Sequence, residues 1–444
     1  MTQHVHSQSL LRVLGLAFGI AVVVGGAVGQ GIMRTPGIVA SAVPDPTLIL
    51  LLWALGGGLA LIDGLVLMEL GAALPCAGGP YAFARRAFGN LAGVMLGWAD
   101  WLAGIFGCAF MAVVFGEYLQ RLGIATEWPR GLVSAGLLVA LWAIHIGGTK
   151  IGAASQVVGT ALKGLGLLLL AALLFSGHSA VAVPAHGTPG LSPVLGITAI
   201  AIAIRSVFMT YAGWNASVYF CEELREPSRN VVRATFIGIL AIAGLYVLMN
   251  AAMLHVLSPA EMARSNLPAA DALAKVLGGK SDMVVTLLAL LSVVAIANLS
   301  IMQYTRTVFG VARDGALPLT LTRVSANGTP RLALTITVLA SLVFAVAGGY
   351  ETLLAIAAPP TILINLVVDL AAIRLRLSEP SLPRPFRMPL YPLPALIAAS
   401  INAAIIVAVF WEDPVNSSIG FAALLAIGAA YVVHGRLAPA VQPA

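Results

Sequence analysis

Lys163 stands alone inside an apolar run, Thr160-Ala161-Leu162-Lys163-Gly164-Leu165. An ammonium in hydrocarbon costs about 3 kcal/mol even on the mildest insertion scales, so this side chain is expected to face protein and not lipid. Such a cation can exchange a proton as its surroundings change, or it can stay charged as a fixed bond to helix-end carbonyls. Arg34, Arg205 and Glu117 also border apolar runs, all toward the same side. They read either as a structural ion-pair set or as a gate whose charges part when a path opens. Asp63, Glu69 and Asp100 lie inside apolar segments. Paired carboxylates could perform acid–base chemistry, but no nucleophile or metal set accompanies them, and polar packing or helix-end roles fit better. Tyr211, Trp214, Asn215 and Asn298 are further candidates for a site or a hinge, or equally for ordinary helix packing.

The remaining reactive side chains exclude other chemistries. The three cysteines, Cys76, Cys108 and Cys221, are odd in number and far apart, which suggests neither disulfides nor a metal site. The seven histidines do not pair at ligand spacing. No enzyme activity, metal or cofactor is expected. Only 9% of the 444 residues are charged and 59% are hydrophobic, the composition of a polytopic membrane protein. The net charge of +6 is not gathered into a basic run, so a nucleic-acid partner has no support. The first nine residues lack the basic start and cleavage site of a secretory signal.

The first apolar stretch, Leu10 to Ala42, is too long for one straight crossing of about 20 residues. Its middle, Val24 to Pro36, contains Gly25, Gly26, Gly29 and Gly31. A helix broken there would turn free N–H groups of its second half and free carbonyls of its first half toward the gap, partners for a carboxylate and an ammonium. A break at membrane depth is tolerated where it lines a cavity. The same glycines would also serve close helix packing.

Apolar runs bounded by charge and by Pro/Gly clusters give twelve spans, at 10–42, 47–74, 91–118, 131–147, 151–175, 193–221, 233–257, 283–309, 331–348, 351–375, 391–411 and 416–434. With an intracellular N-terminus, sixteen of the 24 basic residues fall inside and five outside, so both termini are expected in the cytoplasm. The sixth span repeats the anomaly of the first, with Phe208-Met209-Thr210-Tyr211-Ala212-Gly213-Trp214-Asn215 interrupting an overlong run. Five spans in each half place the second half in the opposite sense, as in a transporter built from inverted repeats over residues 10–175 and 193–375. The segment Ser176 to Ser192 reads as an external linker, and Ser258-Pro259-Ala260-Glu261 as a capped short helix. The last two spans, 391–434, lie outside the repeats and serve either packing or dimerisation. Gly104, Gly107 and Ala109 suggest room for a modest neutral side chain.

Several motifs then occur in order. Val28-Gly29-Gln30-Gly31-Ile32-Met33 resembles a Gly-Ser-Gly pattern followed by isoleucine and an aromatic. Glu69-Leu70-Gly71, Pro75, Gly78-Gly79 and Tyr81 to Gly89 form a second match. Tyr211 to Asn215, Glu222-Glu223 and Pro227-Ser228-Arg229-Asn230 form a third, and Arg306, Arg313-Asp314-Gly315, Pro318 and Thr329-Pro330 a fourth. Across nearly the whole chain these residues resemble the amino acid–polyamine–organocation superfamily, in particular bacterial amino acid permeases. The resemblance implies an all-α integral membrane protein with twelve transmembrane helices, a leucine-transporter-type 5+5 inverted repeat and discontinuous helices 1 and 6. It implies a substrate carboxylate on the N–H groups of Gln30 and Gly31, next to Gly29, and an ammonium on the carbonyls of Ala27, Met209 and Ala212, next to Gly213. Lys163 resembles a lysine that some relatives place where sodium-coupled cousins bind sodium. Gln30 replaces the family's serine, and Phe208 precedes by one residue the position, Met209, where relatives often carry an aromatic gate; Trp214 is a further gate candidate.

The expectation is therefore a sodium-independent secondary transporter of amino acids in the plasma membrane, the inner membrane of a bacterium. It works by alternating access, as a proton symporter or an exchanger. The alternatives are an amine or polyamine transporter, for which Asp63 or Asp100 would have to face the midplane, and a non-transporting amino acid sensor. The partners expected are a small-molecule substrate, membrane lipid and a second copy of the chain.

Overall fold

The structure, a computed structural model, describes residues 9–29, 31–178 and 193–437. Gln30 and most of the expected external linker therefore lie outside the described residues. Helix forms wherever the apolar runs predict it. In chain order the helices are α1 (Leu16–Ala27), α2 (Gly31–Ala42), α3 (Pro46–Ala73), α4 (Pro80–Phe88), α5 (Asn90–Arg121), α6 (Arg130–Ile146), α7 (Thr149–Phe175) and α8 (Pro193–Tyr211). They continue with α9 (Pro227–Val256), α10 (Pro259–Arg264), α11 (Pro268–Leu277), α12 (Ser281–Arg313), α13 (Arg331–Ala347), α14 (Tyr350–Ser378), α15 (Leu393–Glu412) and α16 (Pro414–Leu437). Among the described residues eight helices are long and apolar enough to cross a membrane, and α1 with α2 makes a ninth span bent by 47°. Helices α6 and α13 are shorter apolar helices.

Local sequence sets the helix ends. Asp45 accepts a hydrogen bond from the Leu48 N–H at 2.7 Å, and Pro46 opens α3 with the φ a first turn needs. The predicted Ser258–Glu261 capping box is present at α10. Glu261 also takes Lys275 Nζ at 2.8 Å, and these bonds hold its carboxyl down at about 2.

Helix α1 is the buried axis. It packs on α9, where Gly19 meets Ala234 and Gly238 receives Val23, and it also contacts α7 and α12. Val22, Val23 and Val28 are completely buried in the main apolar core. Two further clamps are polar. The Glu69 carboxylate of α3 accepts both Arg376 Nε (2.7 Å) and Nη2 (2.6 Å), and the Met388 N–H at 2.7 Å, with Arg384 at 3.3 Å. At the arginine-rich end the buried Arg306 of α12 holds Glu223 through two bonds of 2.8 and 2.9 Å. Beside that pair, Leu14 and Leu224 form an isolated β-bridge, and Glu222 accepts the Leu10 and Ala77 N–H groups and Arg313. The chain before α1 is thereby tied to the segment after α8.

Candidate functional site

The first break is held by α7. Helix α1 stops at Ala27, and its last-turn carbonyls of Gly25 and Val28 both accept hydrogen bonds from Lys163 Nζ, the Gly25 bond at 2.9 Å. Lys163 is 1% exposed, so the inward orientation expected for it is met. A cation at the carbonyl end of a helix complements its dipole. The lysine belongs to a polar face that sequence reading missed. Gln156, Thr160 and Lys163 recur at helical spacing, a signal available in the sequence. Thr160 Oγ1 donates to the Ala21 carbonyl at 3.0 Å, and Asn298 of α12 donates to Gln156 Oε1 at 2.8 Å. Gly25 has to lack a side chain here, because a Cβ would come within 2.5 Å of Gln156 Nε2 and Thr160 Oγ1.

The second break falls at Gly213, within the stretch 208–215 expected to interrupt the sixth span. Phe208 and Met209 are still inside α8, Met209 is 41% exposed, and the helix ends only at Tyr211. Gly213 then turns the chain with φ 103°, a conformation that costs any other residue, and a 3-10 helix follows over Trp214–Phe220. The two breaks meet backbone to backbone. A Cβ on Gly213 would sit 2.4 Å from the Gly26 carbonyl oxygen, and one on Gly26 2.3 Å from that of Gly213. Tyr246 of α9, unmarked in the sequence, stitches them: its hydroxyl is 2.8 Å from the Ala27 carbonyl and 3.1 Å from that of Thr210. Thr210 Oγ1 in turn bonds Thr35 Oγ1 of α2 at 2.9 Å.

A cavity of about 260 Å³ opens against this junction, with Gly26, Ala212, Gly213 and Asn215 in its wall. Ile296, Gln303 and Tyr304 of α12, and Thr361 and Asn365 of α14, complete most of it. Of the residues predicted to bind substrate, Ala212 and Gly213 thus line the cavity. Gly29 lies behind it against Ile296, Gly31 packs on Thr210, and Ala27 presents its carbonyl to Tyr246. Phe208 and Met209 are not in the wall, because the helix carries them onto another face before the break. Gly104 leaves no open room: Tyr304 fills the space beside it, 2.2 Å from where a Cβ would be. The wall also holds a signal overlooked in the sequence, since Pro359 and Pro360 sit inside α14 just before Thr361.

The charged candidates separate. Arg205 pairs with Glu412 of α15, and Glu117 faces Arg130 at 4.0 Å. Arg34 lines a different cavity of about 290 Å³, with Tyr118, Arg121 and Asn266. Among the described residues no ion pair joins these three, because α2, α5 and α8 present them to different neighbours. Trp214 is buried at the start of the 3-10 helix. Asp63 lies beside Asp369 of α14, which accepts Asn402 Nδ2 at 2.9 Å.

A bent first span, a second helix stopped beside it and a cavity at their junction place main-chain helix ends against a space of about 260 Å³. The chain belongs to the amino acid permease family, whose sequence pattern matches residues 9–433. It is 29% identical over 430 residues to the large neutral amino acids transporter small subunit 2 of Homo sapiens, covering 94% of this chain and 79% of that protein. It is 29% identical over 429 residues to the Asc-type amino acid transporter 1 of Mus musculus, with 94% and 80% covered. It is 25% identical over 443 residues to the serine/threonine exchanger SteT of Bacillus subtilis (strain 168), with 97% and 98% covered.

Proposed function

We propose that this protein is a sodium-independent secondary transporter of amino acids in the plasma membrane, multi-pass with both termini cytoplasmic. In this reading it has twelve spans, two inverted five-helix repeats over residues 10–175 and 193–375, and two added helices over 391–434. The observation that carries the proposal is the contact of the two helix breaks at Gly26 and Gly213 beside a cavity. A zwitterion needs both donors and acceptors in a place without water, and helix ends supply them without burying extra charges.

Sodium independence follows from Lys163, whose ammonium already occupies the space between the Gly25 and Val28 carbonyls. Alternating access would require the junction to stay fixed while the ends open in turn. The arginine-rich end would open by releasing Glu222 from Arg313, and Asp314 from Arg85 and Tyr81. The relative named as a serine/threonine exchanger favours exchange over simple uptake.

The test is flux in proteoliposomes holding the purified full-length protein. Labelled amino acid is expected to enter faster when the lumen is preloaded with unlabelled amino acid, and at an unchanged rate when external sodium is replaced by choline. Saturable binding with no flux, or flux of polyamines alone, overturns the proposal.

A further inference from the structure

Asp100 of α5 is a buried carboxylate in the cavity wall, 4% exposed. Its Oδ1 accepts the Tyr219 hydroxyl at 2.8 Å and its Oδ2 the Thr307 hydroxyl at 2.8 Å. Both donors are neutral, and among the described residues no arginine or lysine pairs with it. The buried glutamates differ: Glu69 has Arg376 and Arg384, Glu222 has Arg313 and Glu223 has Arg306. Asp63 and Asp369 lie beside each other and stand outside the cavity wall. A carboxylate offers about four acceptor sites, and two hydroxyls leave the rest open toward the cavity. A buried anion without a counter-charge is costly, and a donor brought by a ligand relieves that cost.

We propose that Asp100 sets the substrate class: the transported amino acid carries a hydrogen-bond donor, a hydroxyl or an ammonium, on a short side chain, and this donor bonds the Asp100 carboxylate. The inference rests on the transport reading above. Gly26 and Gly213 share the cavity with Asp100, so a ligand held by main chain at the helix junction directs its side chain into the remaining space. The cavity of about 260 Å³ falls just below the range of about 300–1,000 Å³ usual for small-molecule pockets, which favours a compact ligand. Beside the apolar Ile296, Leu299 and Ile364, the wall also holds the polar side chains of Ser300, Gln303, Tyr304 and Asn365. An aliphatic side chain would leave these groups unpaired, and a site built around a donor discriminates strongly against the analogue lacking it.

Threonine and valine have the same shape and differ by a hydroxyl for a methyl, so they form the test. In proteoliposomes of the wild-type protein, kcat/KM is expected to be at least about tenfold higher for L-threonine, or for L-2,4-diaminobutyrate, than for L-valine. A preference for threonine identifies the hydroxyl as the donor, and one for diaminobutyrate identifies the ammonium. Asp100→Leu is expected to bring the threonine-to-valine ratio to within about threefold of unity, and Asp100→Asn to lower diaminobutyrate flux selectively. Equal wild-type uptake of valine overturns the inference while leaving transport intact, as does an unchanged ratio in a folded Asp100→Leu protein. Absence of flux for every amino acid instead defeats the transport reading. If the leucine variant does not fold, the wild-type ratio still tests the substrate class and the Asp100→Asn protein tests the residue: an unchanged diaminobutyrate-to-threonine ratio in it overturns the assignment to Asp100.

Discussion

At the scale of single residues, Lys163 and Glu69 show two uses of a buried charge. Lys163 bonds carbonyls at the end of α1, so its loss frees the last turn of the helix that borders the cavity. Lys163→Ala is expected to abolish concentrative uptake while the protein still inserts and elutes as a single species from a sizing column. Wild-type uptake by that variant discards the coupling role. Glu69 gathers two arginines and a main-chain N–H, and removing it strands cations in a tightly packed place. Glu69→Ala should cost about 3–5 kcal/mol of stability, read as a lowered thermal midpoint in detergent. The exposed pair of Arg205 and Glu412 is the contrast, because exposed ion pairs contribute at most about 1 kcal/mol. Arg205→Ala should leave the midpoint nearly unmoved, and a drop like that of Glu69→Ala would reverse this ranking.

At the scale of elements, the junction of α1 with the segment after α8 depends on two missing side chains. Gly213 requires a left-handed backbone, and a methyl on either Gly213 or Gly26 collides with the other's carbonyl. Gly213→Ala and Gly26→Ala should each lose most transport. Together they should cost less stability than the sum of the two single changes, since both disrupt one contact. Gly107→Ala on α5 meets nothing within 4 Å and should change stability by less than about 0.5 kcal/mol. Normal flux through Gly213→Ala would show that the two segments need not touch during the cycle.

At the scale of the whole molecule, a cavity of about 520 Å³ opens at the arginine-rich end, lined by Cys76, Arg85, Arg313 and Asp314. Cys108 and Cys221 are buried, so Cys76 alone is placed to report whether this end is open. Its modification by a maleimide should accelerate when transported amino acid drives the cycle. Burial outweighs the nearby Arg313 and pushes the Cys76 thiol up to about 11. The thiolate is the reactive form, so acid suppresses labelling, and from pH 7 to 9 the rate should climb about tenfold per pH unit without a plateau. A plateau near pH 8 would mean that Cys76 samples open water most of the time.

The sequence alone determined what one-dimensional periodicity encodes. Apolar runs predict helices because every backbone group in lipid must be satisfied within its own segment, and a glycine cluster in one overlong run and Gly213 in the other mark where helix stops. An isolated lysine had to point inward for the same energetic reason. The family motifs, matched across residues 9–433, were legible in the same way. Tertiary structure decided the partners. That Tyr246 bridges Ala27 and Thr210, that Glu117 faces Arg130 and not Arg34, and that Asp100 reaches the cavity without a counter-charge all depend on how helices rotate against one another. Even Phe208 and Met209, within a few residues of the second break, turn to a face outside the cavity wall because α8 continues to Tyr211. Each residue of a helix advances the face by about 100°, so carrying α8 on to Tyr211 changes which side chains line the site, and local sequence does not fix that angle.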